Sequence, residues 1–107
     1  MISGEVVRGH LDAVILKLII EKDRYGYEIS NEIGKRTDNE FEIKEATLYA
    51  VFARLEKKKL IKSYIGDVTH GRKRKYYTIT TLGKAYFREK VQEWEEVKKF
   101  INLFLEE

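Results

Sequence analysis

The sequence predicts a mainly α chain with one two-stranded β hairpin and a long terminal helix, and three observations carry that expectation. Apolar residues recur at three- and four-residue steps in four separate segments. Between the third and fourth segments, two runs rich in β-branched and aromatic residues flank a turn-like stretch. Beside that stretch stands a compact basic run, His70-Gly71-Arg72-Lys73-Arg74-Lys75.

Val6, Val7, Leu11, Val14, Ile15, Leu18 and Ile19 form one wide stripe, which predicts a first helix over about residues 4–21 whose stripe is mostly core. Lys22-Asp23-Arg24 breaks the pattern. A second helix is expected from Tyr25 or Gly26, with Tyr25, Ile29 and Ile33 on one face and Glu28, Asn31 and Glu32 outside, ending at Gly34 and the polar run after it. Leu48, Phe52 and Leu55 keep i, i+4, i+7 spacing and predict a third helix over about 44–59, with Thr47, Ala50, Arg54 and Lys58 off the apolar face. Residues 60–65 and 75–79 read as antiparallel strands joined by a long loop containing Gly66, Asp67 and Gly71. Thr80 or Thr81 can cap a fourth helix, in which Leu82, Tyr86, Phe87, Val91, Trp94, Val97, Phe100, Ile101, Phe104 and Leu105 stay in phase to the end.

Three helices, a hairpin and a long helix in that order describe a winged helix-turn-helix followed by a terminal helix. The division expected is residues 1–80 as a DNA-binding domain and 81–107 as a dimerisation helix. The 107 residues suit one domain with a small core. Without cysteine the chain has no disulfide, thiolate metal site or cysteine nucleophile. No run approaches the ~18 apolar residues of a membrane span, and the start lacks a signal-peptide pattern, so a cytoplasmic protein is expected. His10 and His70, the two histidines, sit in neither metal-spacing nor triad-like settings, and no Gly-rich phosphate loop or serine elbow is present. No cofactor, metal or enzymatic activity is expected.

Charge is unevenly placed, and a polyanion senses distribution more than the net +3. Residues 41–80 carry ten basic and four acidic side chains, whereas acidic residues outnumber basic ones on both sides of that segment. A helix that fits the major groove, followed by a cationic hairpin, suits double-stranded DNA. On the third helix Thr47 and Ala50 are small enough for base edges, Thr47 as donor or acceptor and Ala50 against a thymine methyl. Lys44 and Tyr49 suit phosphate or sugar. Arg54 is open between a guanine, a phosphate and a surface salt bridge. In the wing, Arg72 and Arg74 are candidates for the minor groove, and Lys73 and Lys75 for phosphates. A solvated charged turn, or a winged helix serving protein or RNA contacts, is the competing interpretation.

The terminal helix argues for a partner. A helix of about 25 residues is about 37 Å long, more than the preceding domain can cover, and its far half would expose Trp94, Val97, Phe100, Ile101, Phe104 and Leu105. Pairing two such helices about a two-fold axis buries that face in both copies. A membrane-surface helix is the rival, and Glu93, Glu95, Glu96, Glu106 and Glu107 disfavour anionic lipid.

These residues resemble the PadR family of transcriptional regulators over nearly the whole chain. Tyr25-Gly26-Tyr27-Glu28-Ile29 is similar to the family's opening of the second helix. Thr47-Leu48-Tyr49 and Arg54-Leu55-Glu56 resemble its recognition-helix signature, and Arg74-Lys75-Tyr76-Tyr77 with Thr80 and Gly83 its wing and last-helix entry. Ala50 stands where many members have proline, and members of the small multidrug-binding branch also lack that proline. The resemblance implies a homodimeric repressor on a palindromic operator, with the last helix crossing to the partner's first helix. It further implies that Trp94 and its symmetry mate line a flat pore for a planar aromatic effector, with His10, Asp12, Ala13 and Lys98 as neighbours. Asp12 would favour a cationic effector, and ordinary interface packing is the competing role for Trp94.

Overall fold

Hydrophobic periodicity becomes, among the described residues, five α-helices, a 3-10 turn and a small sheet. A computed structural model describes residues 2–69 and 71–107; His70, at the head of the basic run, lies outside the described residues. The order is α1 (Gly4–Val7), a 3-10 turn (Arg8–His10), α2 (Leu11–Glu21), β1 (Arg24–Tyr25), α3 (Gly26–Arg36), α4 (Glu45–Lys57), β2 (Ile61–Thr69), β3 (Arg72–Ile79) and α5 (Thr81–Leu105).

The core forms where α2, α3 and α4 turn their apolar faces toward one another and toward the base of the hairpin. Ile15, Leu16, Ile19, Ile29, Val51, Phe52, Leu55 and Ile61 are all completely buried. Each such side chain contributes about 1.5–3 kcal/mol relative to exposure. Tyr86 and Phe87 bring the first turns of α5 onto the same core. Thr80 caps α5 by accepting from the Gly83 amide at 3.0 Å and donates to the Leu60 carbonyl at 3.0 Å, so it ties the helix to the end of the α4–β2 connection. At Gly83 a Cβ would fall 2.1 Å from the Leu60 carbonyl oxygen, so this close approach requires glycine.

Arg24 is the one buried charged residue among the described residues, and its partners explain its place. Its Nε donates to the Leu18 carbonyl at 2.8 Å and its Nη2 to Glu21 at 3.1 Å, so it satisfies the end of α2 while fixing the start of β1. Arg36, from the end of α3, bonds both Glu21 and Glu32. Hydrogen bonding to Arg36 is the main reason both carboxyls lie below their ordinary range.

Three departures from the sequence expectation have physical causes. The first helix breaks at Arg8–His10 into a 3-10 turn, around Gly9, a weak helix former. Its Val6 and Val14 are 72% and 40% exposed rather than core, so part of the predicted stripe faces outward. The hairpin is also longer and tighter than expected. Gly66 and Asp67 do not form a turn; they lie within β2, where the register with β3 shifts between Ile65 and Asp67 as a β-bulge. β2 runs on to Thr69 and β3 begins at Arg72, with Gly71 just before it at φ 76°. Finally, the sheet has three strands in the order β1-β3-β2, because Arg24 and Tyr25 pair with Tyr77 and Tyr76.

The terminal helix runs 25 residues from Thr81, as its spacing predicts. Its body end is packed, but every residue from Val91 onward is exposed. The long axis of the chain, 55 Å against 31 and 20 Å, reflects this projection.

Candidate nucleic-acid interface

The recognition geometry starts at Tyr25, whose amide donates to the Glu28 carboxylate at 3.2 Å. That bond is half of a capping box and fixes the first turn of α3. Gly26 follows because α4 crosses close by: a Cβ there would lie 3.1 Å from the Tyr49 hydroxyl and 3.5 Å from the Phe52 ring. The Tyr-Gly-Tyr-Glu run is thereby explained as a cap plus a contact point for α4.

Lys44 occupies the N-cap of α4 and its side chain makes no cap bond, since an ammonium cannot accept. The first-turn amides are left to solvent or to an anion, where the helix dipole favours negative charge. Leu48, Phe52 and Leu55 are buried and Thr47, Ala50, Arg54 and Lys58 exposed, as the spacing predicts; Val51 joins the buried face, and Lys44 and Tyr49 are also exposed. Ala46 and Ala53 are exposed as well, and with Ala50 they give the outward face of α4 a low profile. Sequence reasoning passed over both, although alanines at off-core helical positions were the available signal.

Tyr49 is 50% exposed and meets Phe52 edge-on at 5.6 Å. Phe52 in turn stacks on Tyr77 of β3 at 4.0 Å and 23°. This stack seats the wing against the recognition helix, and burial pushes the Tyr77 hydroxyl up to about 12. Glu56 adds a polar link, accepting from Ser63 at 3.2 Å and lying 3.8 Å from the Lys75 ammonium.

Wing and helices enclose an open cleft of about 750 Å³, lined by Tyr25, Gly26, Tyr27, Tyr49 and Tyr77 and by the four wing cations Arg72, Lys73, Arg74 and Lys75. The four wing cations are thus brought together with Tyr49, whereas Lys44, Thr47, Ala50 and Arg54 lie outside this cleft. Tyr27, 70% exposed on the same cleft, was not singled out from the sequence. The four cations differ in their surroundings. Arg72 and Lys73 are exposed and, among the described residues, have no ion-pair partner. Lys75 reaches Glu56. Arg74 lies 3.6 Å from Asp67 and stacks 4.7 Å above the Tyr25 ring.

Arg54 resolves toward one of its three options. Its Nε donates to Asp12 at 3.2 Å and its Nη2 bonds the other carboxylate oxygen, a bidentate ion pair between α4 and α2. Hydrogen bonding to Asp12 raises the guanidinium above its ordinary value. Asp12 therefore faces the recognition helix. Of the residues placed around the proposed effector pore, His10 and Trp94 do meet, edge to face at 5.1 Å and 74°. Ala13, three residues after His10, is half-buried, and Lys98 pairs with Glu95 on its own helix at 3.1 Å.

Among the described residues there is no group of three acidic, histidine or cysteine side chains able to hold a metal, and no helix long and apolar enough to cross a membrane.

Comparison with known proteins agrees with this geometry. Residues 15–89 match the transcriptional regulator PadR-like family. An uncharacterized protein of Lysinibacillus sphaericus is 66% identical over 106 residues, spanning 99% of this chain and 97% of that one. A transcriptional regulator from Clostridium thermocellum superposes with a TM-score of 0.92 at 52% identity, covering 99% of this chain and all (100%) of that one. A PadR-like transcriptional regulator from Bacillus cereus superposes at 0.81 with 32% identity, covering 96% and 98%. The chain belongs to the PadR-like family of transcriptional regulators, winged-helix DNA-binding proteins rather than enzymes.

Proposed function

We propose that the chain acts as a homodimeric repressor that binds a palindromic operator through α4 and the wing, with residues 1–80 reading DNA and 81–107 holding the dimer. The observation that supports this most is the terminal helix. From Val91 onward it is exposed all round, yet Trp94, Val97, Phe100, Ile101 and Phe104 line up at helical spacing. A monomer rarely tolerates so long an apolar strip, and a second copy is the simplest cover. Two copies present two recognition helices, which matches an inverted repeat. Such a role belongs in the cytoplasm, with the DNA.

Within each half-site, Thr47 and Ala50 read base edges, and Lys44, Tyr49, Lys73 and Lys75 hold phosphate or sugar. Arg72 projects from the wing toward the minor groove. Arg54, paired with Asp12, ties α4 to α2 on the same side of α4 that carries Thr47 and Ala50. Replacement of Thr47 by alanine should change which duplexes are preferred while lowering overall affinity by no more than a fewfold. Competition binding over a panel of single-base operator variants checks this. An unchanged preference with a uniform loss would reassign Thr47 to the backbone.

For control, Trp94 is the proposed effector platform, with His10 edge-on to it and Ala13 and Lys98 nearby in the dimer. A planar aromatic molecule would stack between the two indoles. A cationic one would have to compete with Arg54 for Asp12, which gives effector binding a route to the recognition helix. Titration with flat aromatic dyes should quench tryptophan emission saturably, and Trp94→Ala should abolish dye binding followed by dye fluorescence. Absence of a saturable signal removes the effector proposal and leaves DNA binding untouched.

A further inference from the structure

We infer that Arg74 is a positioning residue of the wing and not itself a DNA contact: stacked on Tyr25, it holds the hairpin at a set angle to the helix-turn-helix. The inference deepens the DNA-binding role proposed above for α4 and the wing. It separates Arg74 from Arg72, two residues away on the same side of β3, which sequence alone treats as equivalent.

Two contacts of Arg74 and the place of Tyr25 in the fold make the case. The Arg74 guanidinium carbon lies 4.7 Å from the centre of the Tyr25 ring, and its Nη1 lies 3.6 Å from Asp67. A planar guanidinium can stack on a ring and meet a carboxylate at its edge simultaneously, which a lysine cannot do as well. Tyr25 belongs to two elements at once, pairing with Tyr76 in the sheet and leading directly into α3. The stack therefore spans wing and helix rather than two points of the hairpin.

The bulge prepares this arrangement. The register shift between Ile65 and Asp67 places Asp67 opposite Arg74, where an unbroken ladder would place Gly66. Gly66 has no side chain because the Tyr76 ring occupies that space: a Cβ would come 2.3 Å from it. Tyr76 then stacks against Tyr64 at 5.7 Å and 16° and meets Tyr25 edge-on at 5.4 Å. Tyr64 closes the sequence by donating to Asp23 at 2.6 Å, at the turn before β1, a bond that chiefly accounts for its hydroxyl being pushed up to about 12. Arg74 is thus one member of a continuous outer-face ladder, whereas Arg72 and Lys73 at the tip have no such partners among the described residues.

The test is the salt dependence of binding to a mixed-sequence duplex of about 40 base pairs, long enough for two half-sites one turn apart. Each lost phosphate contact should lower the slope of log K against log salt by about 0.9. Arg72→Gln, which withdraws a cation from the minor groove in each subunit, should lower it similarly, because a cation held against the duplex there also displaces counterions. Arg74→Gln should instead weaken binding about two- to fivefold per wing, about tenfold for the dimer, with the slope unchanged. Tyr25→Leu should reproduce that loss, the double variant with Arg74→Gln should lose no more, and Tyr25→Phe, which keeps the ring face, should recover most of it. Thermal unfolding midpoints identify any variant that loses its fold. A slope reduction for Arg74→Gln equal to that of Arg72→Gln would overturn the inference, as would additive losses in the double variant. Unchanged slope and affinity for both arginine variants would deny Arg72 a DNA contact and Arg74 a positioning role, and the inference would fall.

Discussion

Replacing Phe52 with alanine should lower the stability of the protein by about 3–5 kcal/mol, the range for a large aromatic removed from a closed core. Phe52 is 1% exposed, stacks on Tyr77, receives the edge of Tyr49 and touches the space above Gly26. It therefore joins α3, α4 and the wing at one point. Against a total stability of roughly 5–15 kcal/mol, the loss leaves little reserve. Urea unfolding followed by far-ultraviolet circular dichroism measures it. Protein concentration must be held constant, since a dimer's apparent stability moves with it. A loss under about 1 kcal/mol would mean that the stack is not closed as described.

Neutralising the wing tip should have the largest effect on binding. Arg72→Gln with Lys73→Gln removes two cations per subunit that are exposed and unpaired among the described residues. If all four in the dimer displace counterions, Arg72 from the minor groove and Lys73 from the backbone, the salt slope falls by about 3 to 4, and affinity at moderate salt falls on the order of 10²–10³-fold. Fold stability should barely move, because neither side chain packs against the core. Affinity measured by fluorescence anisotropy at several salt concentrations distinguishes this from a change in shape complementarity. A loss of affinity at constant slope would assign the tip a structural role.

These two expectations draw on different kinds of information in the chain. The core was readable because helix packing leaves a periodic trace: Leu48, Phe52 and Leu55 are buried where their spacing places them. The exposed face of α4 was readable by subtraction from the same pattern. Arg24-Tyr25 left no such trace, since a two-residue strand has no period, and the charged run before it looked like a turn. Gly66 misled for a related reason. Glycine serves both turns and bulges, and only the partner strand, with the Tyr76 ring filling its missing side chain, decides between them.

Pairings distant along the chain were also beyond sequence reasoning. Asp12 and Arg54 stand 42 positions apart, and nothing local to either announces the other. The same holds for Arg74, whose neighbours Arg72 and Lys73 share its chemistry but not its surroundings. Charge composition picked out the basic segment, yet it could not sort cations without a partner from cations paired within the fold. That distinction changes what mutations at Asp12, Arg54, Tyr25 and Arg74 should do, shifting their effects from direct contact to orientation.

Selection of bound duplexes from a random pool tests most directly whether α4 and the wing, carried twice on one dimer, read DNA by sequence. The enriched sites should contain an inverted repeat whose half-sites are centred about one helical turn, or a small multiple of it, apart. Recovery of duplexes without symmetry or preferred sequence would contradict a dimeric, sequence-specific regulator.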